Sequence, residues 1–391
     1  MTYEWNHSTI NDVCVLVTDG SHSSPKSVND GKYMVSVKDF TDYGFDFASC
    51  RMISNDDYET LKRNGCVPQI DDILIGKDGA RFFEDIIIYR QREKPALLSS
   101  IAILRCDKSK ILPDFLYYVL RTPSFRQDVK DNYGSGSAIP RIILKDFKRM
   151  MVSYPSLEKQ QAIISVLTAI DSKIQANTEI NDNLADLLQT IYQERFGNDI
   201  LAVNQGVLSD ICSYSRDKVA VSELNVITYF STENMLSGKA GSTEATSLPT
   251  TSQTTACHKG DTLISNIRPY FKKIVYCEDK CGCSTDVLCF TPSQPHYSAY
   301  LFSTLYADKF FAFMVAGSKG TKMPRGDKQQ IMTYPVVLPS EEELAGFNTI
   351  ASPLLEQIYS NRAENKRLSI LRDTLLPKLM SGEINVSAVQ L

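Results

Sequence analysis

The chain has one tryptophan and four histidines in 391 residues, and no apolar run reaches the length of a bilayer span. A helical membrane anchor is therefore not expected. The scarcity of histidine argues against His-based metal or proton-transfer centres. No His-Glu-x-x-His occurs, and His7, His22, His258 and His296 are scattered. No phosphate-cradling motif is complete. Gly134-Ser-Gly-Ser lacks the third glycine of the dinucleotide fingerprint, and Gly317-Ser-Lys-Gly-Thr-Lys does not match P-loop spacing. The Asn-Pro-Pro-aromatic motif of amino-group methyltransferases is absent. Positive charge is also not in excess: 42 basic residues face 46 acidic ones, a net of −4. That weighs weakly against a nucleic acid partner, because such a footprint is local.

The first residues, MTYEWNHSTINDV, lack a basic stretch followed by an apolar one, so no secretion signal is expected. Ten cysteines without such a signal point to reduced thiols and a cytoplasmic location. Cys257, Cys277, Cys281, Cys283 and Cys289 lie close to each other and to His258. A zinc site is conceivable, but their spacing is not the paired Cys-x-x-Cys of such sites, so buried or strand-edge thiols and no metal are expected. Asp261 with Glu278-Asp279-Lys280 loosely evokes a nuclease acid pair; a solvated turn is the simpler reading. No catalytic constellation emerges, and no cofactor is expected in this chain.

What is present is a repeat. Leu157 to Phe196 reads as one long helix, with Ile163, Leu167, Ile170, Ile174, Leu184, Leu188 and Ile191 on one stripe and Asn177 and Asn181 set into it. The last fifty residues repeat the pattern with Phe347, Leu354, Ile358, Leu368 and Leu375, again with Asn361 and Asn365 on the stripe. The offset is constant, since 361 − 177, 365 − 181 and 368 − 184 all equal 184. A lone stripe of this kind is usually a helix lying on a core. Two stripes with asparagines at matching seam positions point to helices that pair with each other, because polar seam residues fix register. Connectivity favours an antiparallel pair about a pseudo-two-fold axis, a rod of roughly 60 Å at about 1.5 Å per residue. This register predicts Asn177 opposite Asn365, Asn181 opposite Asn361, Ile174 opposite Leu368, Leu184 opposite Ile358, Leu188 opposite Leu354 and Leu167 opposite Leu375. Pro353 is expected to kink or open the second helix, and Pro377 with Gly382 to end it.

The stretches before each helix also match. Asp72-Ile-Leu-Ile-Gly-Lys-Asp-Gly79 and Gly260-Asp-Thr-Leu-Ile-Ser-Asn-Ile-Arg268 are apolar strands running into polar turns. Aromatic-rich helices follow at Asp114–Arg121 and Tyr297–Tyr306. Small-residue loops then end in Pro-Arg: Gly134-Ser-Gly-Ser-Ala-Ile-Pro-Arg141 and Gly317-Ser-Lys-Gly-Thr-Lys-Met-Pro-Arg325. Each half reaches Tyr-Pro (Tyr154-Pro155, Tyr334-Pro335) before its long helix. Short β-rich runs mixed with one or two helices read as α+β rather than regular βαβ alternation. The Ser/Thr-rich segment 240–255 reads as an exposed loop or a strand edge, with a mobile connection expected. Ser135, Ser137 and Arg141 in one half correspond to Ser318, Lys319, Lys322 and Arg325 in the other. Lys77 and Arg81 after the first strand, and Arg268 with Tyr270 after the second, are expected on the same faces. Hydroxyls, guanidinium groups and ammonium groups at loop tips suit phosphate oxygens and base edges.

In this order the two copies resemble the specificity subunit of type I restriction–modification systems. The resemblance spans the whole chain, down to the tail Leu-Pro-Lys-Leu-Met-Ser-Gly-Glu-Ile (376–384). It implies two target recognition domains, at 1–155 and 199–339, each reading half of a bipartite double-stranded DNA site. It implies spacer helices at 156–198 and 340–391 that set the distance between half-sites. It also implies two methyltransferase subunits docked on the rod and a restriction–translocase subunit, with S-adenosylmethionine, ATP and magnesium on those partners. Readers entering the major groove on one face would favour half-sites about 34 Å apart. The family's Glu-Glu-Gln is approached by Pro155-Ser-Leu-Glu-Lys-Gln160, whereas Pro339-Ser-Glu-Glu-Glu-Leu344 departs from it. The rival readings are a protein-interaction scaffold that never meets DNA, and an enzyme whose site follows no familiar motif.

Overall fold

The computed structural model describes residues 5–79, 81–134, 140–197 and 204–386. The fold is α+β, and the chain divides into two compact units: Met1–Ile174 with Arg367–Leu391, and Gln175–Lys366. None of the described helices is long and apolar enough to cross a membrane.

The first unit is built on an antiparallel sheet ordered Cys14–Asp19, Ile101–Cys106, Ile73–Gly76, Ile86–Ile88. Its two inner strands, IAILRC and ILIG, are near-continuous apolar runs, as strands covered on both faces must be. The helix Pro113–Arg121 lays Phe115, Leu116 and Leu120, all at 0% exposure, into the core against the sheet. A second small sheet joins Lys32–Val35 to Arg51–Ile53 and Ala96–Leu97. The terminal strand Asn6–Thr9 pairs with Met151–Tyr154, directly before the first long helix.

The second unit repeats the order. Cys212–Tyr214, Val287–Pro292, Thr262–Ser265 and Ile274–Tyr276 form its antiparallel sheet, and Gln205–Val207 pairs with Pro335–Val337 ahead of the second long helix. Ser298–Tyr306 is its aromatic helix, with Tyr300, Leu301 and Leu305 fully buried. The Ser/Thr-rich segment is more tied down than a mobile connection requires. Thr243 N donates to Asn234 O at 2.8 Å and Ala245 N to Val226 O at 2.8 Å, and the stretch ends in the strand Gln253–Cys257.

The long helices are Leu157–Phe196 and Glu341–Met380, 40 residues each. In the first unit, Ile163, Ile164 and Leu167 share a core with Leu376 and Leu379, while Leu375 is half-buried at its edge. Ile170 is buried and Ile174 half-buried. A polar brace adds to this packing: Tyr118 Oη donates to Asp171 at 2.7 Å, and Arg372 reaches the same carboxylate at 2.9 Å. In the second unit Leu188, Tyr192 and Phe196 pack with Phe347, Ala351 and Leu355. Leu355 rather than Leu354 points furthest inward. Ile358 is buried, and Leu184 is half-buried.

Within the second unit the asparagines meet in antiparallel register. Asn177 Nδ2 donates to Asn365 Oδ1 at 2.9 Å and to Glu364 at 2.8 Å, and Asn361 Nδ2 donates to Asn181 Oδ1 at 2.9 Å. A one-residue slip would orphan amides buried to 1% exposure at Asn177, 7% at Asn181 and 6% at Asn361, at about 1–3 kcal/mol per unsatisfied group.

Two expectations about the second helix are corrected. Pro353 neither breaks nor starts it; the helix begins twelve residues earlier and runs through both Pro353 and Pro377. Pro353 faces solvent, so its ring meets no core wall, while Ala351 and Leu355 beside it are pinned in the core. The helix ends at Met380, just before Gly382 at φ 74°. Its start is set by a capping box: Glu343 accepts from Ser340 N and Oγ at 2.8 Å, and Ser340 Oγ accepts from Glu343 N at 3.3 Å.

The first helix starts differently. Gln160, at 0% exposure, accepts from Leu112 N at 2.9 Å and donates to Lys110 O and Pro155 O at 2.9 and 3.0 Å. At the matching position the second half has Leu344, a buried apolar plug. The sequence departure at Leu344 thus exchanges a hydrogen-bonded staple for an apolar one.

Candidate nucleic-acid interface

The Pro-Arg segments and the strand-turn segments, distant in sequence, are joined by backbone hydrogen bonds. In the first unit Gly79 N donates to Pro140 O at 3.0 Å, Ile142 N to Lys77 O at 3.0 Å and Lys77 N to Ser100 O at 2.9 Å. In the second unit Arg268 N donates to Pro324 O at 2.8 Å, Gly326 N to Asn266 O at 3.3 Å and Asn266 N to Asp286 O at 2.8 Å. Isolated bridges pair Asp78 with Arg141 and Ile267 with Arg325. A proline suits this position because only its carbonyl is used and no N–H is stranded. The local chemistry of two short motifs therefore builds the same three-part turn twice.

The arginines stand at its rim. Arg141 is about half exposed (48%) and 3.8 Å from Asp78; Arg325 is 56% exposed and 3.0 Å from Asp286. Exposed pairs of this kind contribute at most about 1 kcal/mol. Lys319, 81% exposed, lies 2.6 Å from Asp327, whose carboxylate raises the ammonium above its ordinary value. Lys322 lies on the same loop, and its carbonyl accepts from Arg268 at 3.5 Å.

Arg268 itself sits at φ 50° and Lys272 at φ 50°, left-handed conformations that cost a non-glycine residue about 1–2 kcal/mol each. The bend they make projects Tyr270 and Phe271, 49% and 39% exposed, with ring centroids 4.7 Å apart. In the first unit Arg81 is 72% exposed beside Asp85 at 2.7 Å. Ser135 and Ser137 lie outside the described residues.

Lys77 is placed otherwise than the sequence reading had it. It is 1% exposed, and its ammonium lies 3.1 Å from Asp19, itself only 8% exposed. The strand Ile73–Gly76 is buried at every position, and the chain is still inside when it reaches residue 77. Lys77 balances a buried charge and does not face solvent.

Asp261 is 1% exposed and accepts from His258 N at 2.8 Å, and burial pushes its carboxyl up. Asp279 accepts from Tyr359 at 2.8 Å and Lys280 pairs with Glu223 at 2.8 Å. The five clustered cysteines are buried around Cys257, with Cys277 and Cys281 sulfurs 3.6 Å apart. Among the described residues no group of three or more His, Cys, Asp and Glu is arranged to hold a metal. What sequence reasoning did not find is a polar cleft of about 330 Å³ in the second unit, walled by Ser231–Asn234, residues 243–249, Ser284 and Asp286. Its only sequence signal was the Ser/Thr-rich composition of one wall.

Comparison with known proteins places this architecture. Residues 3–185 match the family described as "Type I restriction modification DNA specificity domain". The MjaIX type I restriction enzyme specificity subunit of Methanocaldococcus jannaschii is 24% identical over 323 residues, 71% of each chain. The HindI specificity subunit of Haemophilus influenzae is 26% identical over 123 residues, 30% of this chain and 26% of that protein. In fold, the chain is similar to the crystal structure of the type I restriction–modification S subunit from M. genitalium, with a TM-score of 0.56, 18% identity, and 97% and 96% of the two chains covered.

Proposed function

We propose how this chain works from one premise: it belongs to the family of type I restriction–modification specificity subunits, and is a DNA sequence specificity subunit. On this reading, 1–155 and 199–339 are target recognition domains, each reading one half of a bipartite double-stranded DNA site. The helical segments 156–198 and 340–391 fix the spacing of the readers and dock two methyltransferase subunits, with a restriction–translocase subunit joining the same assembly. The chain is not catalytic by itself. S-adenosylmethionine, ATP and magnesium act on the partners, and the setting is the cytoplasm.

The observation that carries this reading is the turn built twice, with the half-exposed Arg141 and Arg325 at matching backbone positions. A structural turn needs no arginine at its rim; a pair of readers does. In this mechanism Arg81, Arg268, Lys319 and Lys322 supply phosphate contacts and salt-dependent affinity. Arg141, Arg325 and Tyr270 face base edges. The buried asparagine pairs hold the helices in one register, which keeps the reader spacing constant. The methylating partner must take its adenine out of the stack, so the readers hold the flanking duplex while one base leaves it.

The test is co-expression with the neighbouring methyltransferase gene product and methylation-sensitive sequencing of host DNA. A split motif of two short specific parts around a fixed gap, modified on adenine and lost when this chain is deleted, is the expected result. A stable complex without any sequence-dependent modification would overturn it.

A further inference from the structure

The cleft in the second unit has the volume to admit part of a ligand, about 330 Å³, and a lining with a definite chemical bias. It contains carboxylates and hydroxyls beside Ala245, Leu248 and Pro249, and among the described residues no lysine or arginine lines it. Such a surface repels phosphate and accepts hydrogen bonds from donors. Its shape is fixed from within. Asn234, 4% exposed, donates to Tyr229 O at 2.9 Å and Thr243 O at 3.0 Å and accepts from Ser231 N at 2.6 Å, which ties two walls together. Lys273 donates to Thr232 O at 2.6 Å and holds a third stretch of the rim. Ser284 Oγ is enclosed at the cleft without a hydrogen-bond partner. Glu244 is held 2.7 Å from Lys366, which leaves Glu233 and Asp286 as the acceptors for a visitor. Asp286 is also the residue that holds Arg325 at 3.0 Å.

We propose that this cleft reads a DNA base by its exocyclic amino group, adenine N6 or cytosine N4, within the half-site of the second unit. The inference deepens the proposed function and rests on it. Carboxylates accept from such amino groups, whereas the O4 of thymine and the O6 and N7 of guanine present acceptors that Glu233 and Asp286 repel. Arg325 links the cleft to the rim of the turn. When its guanidinium turns to a base edge, Asp286 is released toward the cleft, so the two contacts to neighbouring bases become available together. Ser284 Oγ supplies a second polar partner at the same place.

The experiment uses the full-length chain assembled with its methyltransferase partners and duplexes carrying the assembly's own motif. Each position of the half-site assigned to the second unit is substituted in turn, and binding is followed by fluorescence anisotropy at one fixed salt concentration. The wild-type assembly is expected to lose about tenfold or more in affinity when one particular adenine or cytosine is replaced by thymine or guanine. Asp286→Asn and Glu233→Gln are each expected to shrink that penalty severalfold while leaving penalties in the other half-site intact. Glu233 is exposed, so its variant keeps the test open if Asp286→Asn does not fold. Unaltered penalties in folded variants would overturn the cleft assignment and leave the specificity reading standing. A wild-type assembly without any base preference would overturn both.

Discussion

Lys77 separates a structural from a DNA-binding role, because burial and function predict different losses. Its side chain is 2% exposed and that of Asp19 is 8%, with 3.1 Å between the charges. Lys77→Met strands a buried carboxylate, and breaking such a pair costs about 3–5 kcal/mol. His22 lies 3.3 Å from Asp19 but is 69% exposed, so it compensates weakly and favours the low end of that range. For a unit of about 200 residues, roughly 3 kcal/mol lowers Tm by about 6–12 °C. The chain has two units and need not melt in one step, so the loss is followed by hydrogen exchange resolved by peptide, with strands Ile73–Gly76 and Ile101–Cys106 as reporters. Lys77→Met with Asp19→Leu removes both charges and should recover most of the loss, because an apolar replacement of a buried pair is near neutral. The reasoning is refuted if Lys77→Met exchanges like wild type in those strands yet weakens DNA binding; Lys77 would then be a contact and not a counter-charge.

Other expectations follow from the same geometry. Gln160→Leu copies the residue found at Leu344 but strands Leu112 N, Lys110 O and Pro155 O, and should destabilise the first unit by about 3 kcal/mol, read by urea unfolding. Asn181→Ala leaves the Asn361 amide short of a partner at 6% exposure and should cost about 1–3 kcal/mol, whereas Asn181→Leu with Asn361→Leu should melt no lower than wild type. Arg141→Ala and Arg325→Ala should each weaken recognition of one half-site, and wild-type methylation patterns in both variants would refute the loop assignment. The hydrogen bonds from Ser340 hold the Glu343 carboxyl below its ordinary 4.5. A depressed value means the stabilisation is present above 4.5 and is lost as pH falls through the folded value. The Tm difference between wild type and Glu343→Gln should therefore be present at neutral pH and vanish on acidification; a difference that grows toward low pH would contradict the cap.

The sequence by itself determined the elements and their duplication. Periodicity of 3.6 put Ile163, Leu167, Ile170 and Leu188 on one face, and a constant offset of 184 put two asparagines on each stripe, so pairing and register were legible before any coordinates. The strand runs were legible too, because strands such as ILIG and IAILRC are apolar along their whole length. What the sequence did not determine was which residues within an element face inward. Leu355 is buried more deeply than its neighbour Leu354, and Leu376 more deeply than Leu375, because the second helix turns its stripe to meet each globular core. Pro353 does not end or start its helix, because Ala351 and Leu355 beside it are pinned in the core. The basic residues show the same limit. Lys77, Arg81 and Arg141 look alike as letters, but only tertiary structure places Lys77 beside Asp19 and leaves the other two at the rim. Burial of a charge depends on a partner from a distant strand, and the cleft beside Asp286 depends on three separated segments. Local pattern fixes what a segment can form, while long-range packing decides what each side chain meets.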